Sequence, residues 1–545
     1  MALGDGGKAV IPVLHLGRPK WDQGLVMDLL EGRLAAGGHQ FEKVEHLGCG
    51  GVILAPLGAH EGDIGVARLQ AGIDNFDWVV VLGTADEAGA FPWRELKHPN
   101  MHLWLQTPHP ENHVGHDRFL LVGYPPDTPE MLRGDQPERG FDWNFMGQVN
   151  HERREKLYKK LRRRAAAVEG GLLLKSDGFT QGWPRDEYLD ALTYAKIVPC
   201  PSGPATPDTF RLAEALEAGC VPLVDQFCPA YEGEYWPMAL GHTPLHYVPD
   251  WKNVDDAIDV ELSQWPRNAT RVSAWWQQYK RELHWRINDD VTEVSGISPA
   301  VMGQPQPTIL IPVSPIPSHP DTLMVDQVVA SVRHWFQHHE IILMCDGVRP
   351  EQEHRRADYE EALNRLMWLC EHEWGNTLPL VFDDHTHQAE MARVAMRYVR
   401  TPTILYVESD CPIVTDCPID WPNLTQTVGE GLVNMVRLHH EAIILPESAH
   451  LNLDKTPVMI GGVPLLRTFQ WSQRPHLANS DYYRRILQQN FRYGVKSMIE
   501  DKMHSVVQCN PWGAHRVAIY APGDNLKRSW TLDGRQDDPK WESEL

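Results

Sequence analysis

The stretch at residues 197–225, IVPCPSGPATPDTFRLAEALEAGCVPLVD, alternates short apolar runs with a longer amphipathic segment. The runs IVPC and CVPLVD have the length and the β-branched content of buried strands. A loop follows the first run, and a helix opens near Asp208 and Thr209. Strand, helix and strand in this order predict a parallel α/β unit.

The start of this helix also has the features of an anion site. Free backbone N–H groups and the helix dipole favour a negative charge there. Arg211 and Glu214 are three positions apart, so they share one helix face. Glu214 could accept hydrogen bonds from both hydroxyls of a ribose, while Arg211 or the loop at Ser202 could contact phosphate.

The same alternation of strand-like and helix-like segments continues on both sides of this stretch. It predicts an α/β fold with two Rossmann-like lobes, a ligand cleft between the carboxyl ends of their strands, and a third α/β domain. Polar, proline-rich segments at 123–140 and 295–307 separate the three parts. The expected boundaries are 1–125, 138–294 and 307–527, followed by a polar tail, 528–545.

Composition narrows the classes of function. A net charge of −22 argues against broad attraction to nucleic acid or to an anionic membrane. We expect no membrane span and a cytoplasmic protein, because no apolar run reaches about 18 residues and the start lacks the pattern of a signal peptide. The nine cysteines form no CxxC pair, which indicates reduced thiols rather than a zinc site. Twenty tryptophans favour a carbohydrate or nucleotide ligand.

The third domain carries a pair of carboxylates at the end of a predicted strand. In ILYVESDCPI, residues 404–413, Glu408 and Asp410 follow a buried run. A carboxylate there needs a positive partner. Two carboxylates sharing Mn²⁺ or Mg²⁺ would neutralise a leaving diphosphate. Asp346 ends an earlier strand, in a position suited to a nucleobase or ribose.

Further candidates lie downstream in the same domain. The segment VKSMIEDKMHS, residues 495–505, supplies Glu500 and Asp501, one of which could deprotonate an acceptor hydroxyl. A histidine could complete the metal shell, and Arg474 lies in a polar loop that could hold acceptor or phosphate. The two candidate histidines are His504 and His515.

Residues 307–525 resemble the GT-A glycosyltransferases, which have a nucleotide-binding α/β sheet, a D-x-D-like motif and a later acidic base. The resemblance implies that Asp346 contacts the nucleoside and that Glu408 and Asp410 contact the metal and diphosphate. It also implies that Asp501 is the base, with Glu500 as the rival. The family most often has Asp where this chain has Glu408.

Residues 75–265 resemble the exostosin-like branch of the GT-B glycosyltransferases through the motif RLAEALEAGCVPLV. The resemblance implies that an arginine after the first strand of the second lobe, Arg153 or Arg154, grips the diphosphate. It implies no metal in this module, because dipole and basic side chains neutralise the leaving group. In the first lobe, Asp86 or Glu87 is the candidate acceptor-side base.

Together these patterns predict a bifunctional glycosyltransferase with nucleotide-sugar donors, UDP-sugars first, and a glycan or protein-linked acceptor. Two alternatives stay open. One is a phage-type enzyme acting on hydroxymethylated pyrimidines in DNA, which the basic run at 151–164 would support. The other is a noncatalytic carbohydrate-binding or assembly protein that kept the folds.

Overall fold

The fold is taken from a computed structural model. It describes residues 10–16, 21–31, 39–57, 65–107, 118–178, 181–203, 205–227, 235–297 and 307–532. Residues 533–545 of the predicted tail and 298–306 of the predicted second linker lie outside these ranges. The chain divides into two compact units. Unit 1 is Met1–Ala300 with Met367–Glu373, and unit 2 is Val301–Leu366 with Trp374–Leu545.

The first sheet of unit 1 has six parallel strands in the order β2-β1-β3-β4-β5-β6. β3 and β4 are buried along their whole length, which explains their continuous apolar sequences. The strands are β1 Val10–His15, β2 Gln40–Val44, β3 Gly50–Pro56, β4 Trp78–Thr84, β5 Met101–Gln106 and β6 Phe119–Leu120. The helices are α1 Gly24–Leu30, α2 Val66–Ile73 and α3 Thr128–Met131.

The second sheet of unit 1 has five parallel strands in the order β11-β10-β9-β7-β8. The strands are β7 Phe141–Gln148, β8 Gly171–Ser176, β9 Ala195–Cys200, β10 Val221–Asp225 and β11 His246–Val248. The helices are α4 Glu152–Ala167, α5 Arg185–Thr193, α6 Phe210–Glu217, α7 Tyr235–Leu240, α8 Val254–Ser263 and α9 Arg267–Ser295.

The long helix α9 joins the second lobe of unit 1 to the first. Asn288 on α9 accepts the His39 backbone N–H at 2.6 Å, and Asp290 accepts Trp104 Nε1–H at 2.8 Å. Both partners belong to the first lobe, so the two sheets share one hydrophobic core. None of the helices formed by the described residues is both long enough and apolar enough to cross a membrane.

Unit 2 is built on a nine-stranded mixed sheet in the order β14-β13-β12-β15-β19-β16-β20-β18-β17. The strands are β12 Pro307–Val313, β13 Ile341–Cys345, β14 Thr377–Val381, β15 Thr403–Tyr406, β16 Met435–Arg437, β17 Val458–Ile460, β18 Val463–Thr468, β19 His476–Asn479 and β20 Val517–Tyr520. The helices are α10 Leu323–Trp335, α11 Arg356–His372, α12 Gln388–Ala395, α13 Trp421–Gly429, α14 Ser480–Asn490 and α15 Ile499–Cys509. The last six residues of α11, 367–372, belong to unit 1.

The predicted α/β class is confirmed, since parallel strands with intervening helices form both sheets of unit 1 and the first half of the sheet in unit 2. The strand that leads to Glu408 and Asp410 ends at Tyr406, so both carboxylates lie in the loop beyond it. Several short strands escaped the sequence analysis, because runs of two to six residues carry little periodicity. These are β2, β6, β11 and β16 to β20.

Candidate active sites of the two units

Two arginines meet in the second lobe of unit 1. Arg154 follows β7, and its Nε–H donates to the Ser202 carbonyl at 3.0 Å. Arg211, on the first turn of α6, donates to the Met146 carbonyl and lies over the Phe145 ring at 4.8 Å. Burial, together with the charge of Arg211, lowers the pKa of Arg154 to about 10. Two guanidinium groups that repel each other beside a helix start favour a bound anion.

The other predicted diphosphate contact, Arg153, has a different role. Its guanidinium forms a two-pronged ion pair with Asp225, through Nε at 2.9 Å and through Nη2. Asp225 is fully buried and also accepts the Ser202 backbone N–H and the Trp251 Nε1–H, each at 3.0 Å. This is a correction: Arg153 neutralises a buried carboxylate, so Arg154 is the arginine left for a ligand.

Arg153→Ala is expected to destabilise unit 1 by about 3 kcal/mol, because it leaves the Asp225 charge buried without its main partner. The measurement is denaturant unfolding of the full chain. Arg162→Ala, an exposed arginine on the same helix, is the matched control and should change stability by less than about 0.5 kcal/mol. Equal effects of the two substitutions would contradict the structural role of Arg153.

The basic run at 151–164 forms most of α4. Leu157 and Leu161 are buried and fix the inward face of this helix. Arg154 is the member that contacts the loop after β9. Four other basic side chains of this run are exposed to solvent: Lys156, Lys159, Arg162 and Arg163.

Glu214 and Ser202, the predicted ribose and phosphate contacts, are both largely buried. Glu214 accepts the Tyr188 hydroxyl at 2.9 Å and lies 3.9 Å from Arg185 Nη1. Burial raises the pKa of Glu214, and these two neighbours oppose the shift. Ser202 acts through its backbone, because its carbonyl accepts Arg154 and also the His151 ring at 3.0 Å.

Of the two predicted bases in the first lobe, Asp86 uses its carboxylate for hydrogen bonds within its own loop. Its carboxylate accepts the backbone N–H groups of Ala90 at 2.7 Å and Phe91 at 3.0 Å, and the Trp93 Nε1–H at 3.0 Å. Asp86 is only 4 % exposed. This corrects the expectation for Asp86, which closes the turn after β4 and is not presented to an acceptor.

Glu87 differs from its neighbour because it keeps contact with solvent. Surrounding protein and the charge of Asp22 raise the pKa of Glu87, while the charge of Arg154 lowers it. A solvent-accessible carboxyl that is crowded by protein is typical of a cleft wall. The structure therefore brings Glu87 of the first lobe into the electrostatic reach of Arg154 of the second.

The two lobes are also linked directly at the start of α6. Asp208 Oδ2 accepts the Val122 backbone N–H at 2.7 Å. Asp208 is 1 % exposed, and burial, with the nearby charge of Glu87, raises its pKa to about 7. A buried carboxyl thus bridges the lobes next to the arginine pair.

The Asp208 bridge is expected to make stability depend on pH. Between its ordinary value of 3.8 and about 7, the folded protein keeps a proton that the unfolded chain has lost. The free energy of unfolding should therefore fall as pH rises through this window, and the Asp208 contribution should be constant above it. Asp208→Asn keeps an oxygen for Val122 and should remove this part of the slope. Identical slopes in denaturation series from pH 4 to pH 8 would contradict the assignment.

In unit 2, the polar and charged candidate residues lie at one edge of the sheet, where β15 and β16 end. Tyr406, His476 and Arg437 are paired across the neighbouring strands β15, β19 and β16. β15 and β16 end at this edge, whereas the antiparallel β19 begins there. The loop with Glu408 and the segment before β19 therefore emerge side by side.

The predicted metal-binding carboxylates sit in this cluster. Glu408 Oε1 accepts the Gln388 Nε2–H at 2.9 Å, and Asp410 Oδ1 accepts the Cys411 thiol at 3.2 Å. Burial and the charge of Asp410 raise the pKa of Glu408 to about 8, and Arg474 opposes the shift. Two crowded carboxylates of this kind fit a divalent cation, which commonly takes one or two carboxylates and completes its shell with phosphate and water.

Both predicted bases of unit 2 lie on the first turn of α15, but only Glu500 faces the cluster. Its Oε2 accepts the Gln473 backbone N–H at 3.0 Å, and its charge contributes to the raised pKa of Glu408. Asp501 is exposed to solvent. Of the two predicted bases, Glu500 is therefore the one that contacts the segment before β19.

The carboxylate of Asp346 accepts hydrogen bonds from a neighbouring turn. Its Oδ1 accepts the backbone N–H groups of Gly347 at 2.9 Å and Thr386 at 2.6 Å, and its Oδ2 accepts His385 Nδ1–H at 2.8 Å. The residue is 2 % exposed. This corrects the predicted nucleoside contact: Asp346 orders the loop that precedes α12.

The two histidines proposed for the metal shell have other partners. His504 Nε2 lies 2.8 Å from Gln508 Nε2 on α15, and His515 Nδ1 lies 3.0 Å from the Tyr482 hydroxyl. Within the described ranges, Glu408 and Asp410 do not join either histidine in a group of three ligand atoms within 4.8 Å. The structure therefore does not bring either histidine to the two carboxylates.

One group of three does meet that distance in unit 1: His102, Asp290 and Glu293. Its central member is already neutralised, because Arg118 donates to both oxygens of Asp290 at 2.7 and 3.0 Å. A cation would have to compete with that guanidinium. β5 and α9 bring these residues together from distant parts of the sequence, so no local motif could have indicated them.

The sequence analysis missed a cationic group at the same edge of unit 2. Arg437 ends β16, and His439 and His440 follow it in the segment MVRLHH. The signal was present, since basic residues directly follow an apolar run. The run was overlooked because β16 has only three residues.

Comparison with known proteins gives one family match. The model of the RXYLT1 C-terminal domain matches residues 125–294, which include the Arg154 and Arg211 site. This match supports the predicted glycosyltransferase class. No curated protein matches the chain.

Solved structures give only distant likenesses. S. aureus TarS 1–349 in complex with UDP-GlcNAc shares 10 % identity with a TM-score of 0.28, over 42 % of this chain and 59 % of that chain. The mannosyltransferase PcManGT from Pyrobaculum calidifontis, in complex with GDP-Man and Mn²⁺, shares 12 % identity with a TM-score of 0.26, over 42 % and 60 %. This chain thus spans about three fifths of these structures, and scores this low establish no shared fold.

Proposed function

We propose that the chain is a glycosyltransferase that takes its sugars from nucleotide-sugar donors, with one donor site in each unit. The observation that carries the proposal is the pair Arg154 and Arg211 beside the start of α6, within the residues that the family model matches. Both arginines are partly buried and the charge of Arg211 lowers the pKa of Arg154, so a bound anion would relieve the repulsion between them.

In unit 1, the donor diphosphate binds Arg154 and Arg211 beside the start of α6. These groups stabilise the negative charge that builds up as the bond between the sugar and the diphosphate breaks. Glu214, held by Tyr188, receives the ribose. Glu87 takes the proton of the acceptor hydroxyl while the oxygen of that hydroxyl forms the bond to the sugar. This site corresponds to a GT-B module and works without a metal.

In unit 2, Glu408 and Asp410 would hold Mn²⁺ or Mg²⁺. When bound, the cation supplies positive charge to the diphosphate leaving group. Arg474 lies beside these carboxylates and contacts the phosphate. Glu500 takes the proton from the acceptor hydroxyl, with Asp501 as the alternative base. This site corresponds to a GT-A module, although a glutamate opens its acidic motif.

The assignment of the base is tested by a pair of neighbouring variants. Glu500→Gln is expected to lower kcat of the metal-dependent transfer by about 10²- to 10⁴-fold, because it removes the proton acceptor. Asp501→Asn should leave kcat within about threefold. The reverse order would assign the base to Asp501. Both variants should still bind nucleoside diphosphate in the presence of Mn²⁺.

The function itself is tested by incubating the full chain with UDP- and GDP-sugars, with and without Mn²⁺ and a glycan or glycoprotein acceptor. The expected result is release of nucleoside diphosphate and a product heavier by one or two sugars. Failure to bind or consume any nucleotide sugar would indicate a noncatalytic protein. A product formed only on hydroxymethylated DNA would move the acceptor to the other alternative, which the comparisons do not favour.

A further inference from the structure

Arg437 is a buried cation that forms no ion pair with a carboxylate in the described part of the chain. It is 7 % exposed, and among the described residues its buried Nε has no hydrogen-bond acceptor. Its two terminal nitrogens lie at 3.3 and 3.4 Å from Gln470 Oε1, which are long contacts to a neutral group. A guanidinium removed from water is costly unless it is paired with a negative charge. A bound anion would therefore stabilise Arg437.

Other nitrogen donors surround Arg437. His439 and His440 lie two and three positions further along the chain, with ring centroids 5.4 Å apart. Burial, and next the charge of Arg437, lowers the pKa of His439 to about 4. Burial, and next the charge of Arg474, lowers the pKa of His440. The lowered pKa values favour the neutral form of both rings, which can still donate hydrogen bonds, while Arg437 supplies the positive charge.

The surroundings of Arg437 indicate that the anion it would bind is not the diphosphate of the donor. The charge of Arg474 acts on Glu408, so it reaches the proposed diphosphate site. The charge that acts most strongly on Arg437 is that of Glu500, the proposed base. A base must lie beside the acceptor hydroxyl. An anion next to Glu500 therefore belongs to the acceptor.

We propose that Arg437, His439 and His440 form a subsite for an oxyanion carried by the acceptor. Unit 2 then transfers its sugar to a hydroxyl of a molecule that bears a phosphoryl or carboxylate group close by. The proposal rests on the proposed function of unit 2. It adds that neutral glycans are poor acceptors there.

The experiment measures binding of two probes, inorganic phosphate and glucuronate, to the full chain by calorimetry without nucleotide or metal. Arg154→Gln is used as the background, because it weakens the anion site of unit 1. We expect one of the probes to bind, and Arg437→Gln or His440→Ala in this background to weaken it at least tenfold. Arg492→Gln, which changes an exposed arginine, is the control and should have no effect. The tighter probe identifies the oxyanion.

Two outcomes overturn the subsite: neither probe binds, or binding survives both Arg437→Gln and His440→Ala. His440 is only partly buried, so its variant keeps the test valid where Arg437→Gln disturbs the fold. UDP and GDP binding with Mn²⁺ is measured on the same samples. If the Arg154→Gln background does not bind UDP or GDP with Mn²⁺, the donor site of unit 2 is refuted. If it binds nucleotide but neither anion, the subsite alone is refuted.

Discussion

Arg154→Gln is expected to lower kcat/KM of the metal-independent transfer by about 10²- to 10³-fold without loss of folding. Arg154 is partly buried and held in place by the Ser202 carbonyl, so its charge is fixed where the diphosphate would lie. Removing one preorganised donor to a developing negative charge typically costs about 3 to 4 kcal/mol. The measurement is nucleoside diphosphate release in EDTA, where unit 2 is expected to be inactive because EDTA removes its cation.

Arg154→Lys refines this test. Lysine keeps the charge but loses the planar fork of N–H groups, so we expect a loss of about tenfold or more. Arg162→Gln, an exposed position on the same helix, is the control. Unchanged nucleotide affinity and rate in Arg154→Gln would show that the arginine pair does not bind the donor.

Asp410→Asn is expected to reduce the Mn²⁺-dependent transfer at least 10²-fold and to shift the Mn²⁺ requirement to higher concentration. The substitution keeps the size of the side chain and removes one of the two charges available for the cation. Glu408, whose pKa the Asp410 charge raises, should become easier to ionise. Metal-independent release of nucleoside diphosphate by unit 1 should be unaffected.

The matched control is Asp416→Asn, an exposed carboxylate six positions further along the chain. It should leave both the rate and the Mn²⁺ dependence within about twofold. Equal Mn²⁺ dependence in Asp410→Asn and in the parent chain would remove Asp410 from the metal site.

The sequence predicted the strands that carry the sites, because β3, β4, β9, β10 and β12 to β15 are continuous apolar runs bounded by turn residues. It also predicted that Glu408 and Asp410 lie at the end of a strand, and the strand ends at Tyr406, two positions before Glu408. These predictions depend only on residues close together in the chain. Local pattern and strand direction were sufficient for them.

Partners distant in sequence decided the roles that could not be predicted. Arg153 and Arg154 are neighbours with equivalent side chains, yet only Arg153 meets Asp225, which lies 72 positions away. Asp346 likewise meets the loop at 384–387 about 40 positions downstream. Sequence shows that a charge follows a strand, but it does not show whether the fold has already neutralised that charge.

The most direct test of two donor sites is the binding stoichiometry of UDP and GDP by calorimetry on the full chain. With Mn²⁺ we expect two sites per chain, and with EDTA one. Arg154→Gln should abolish the EDTA-resistant site, and Asp410→Asn should abolish the other. A single site with the same affinity in Mn²⁺ and EDTA, or no binding of either nucleotide, would contradict the central claim.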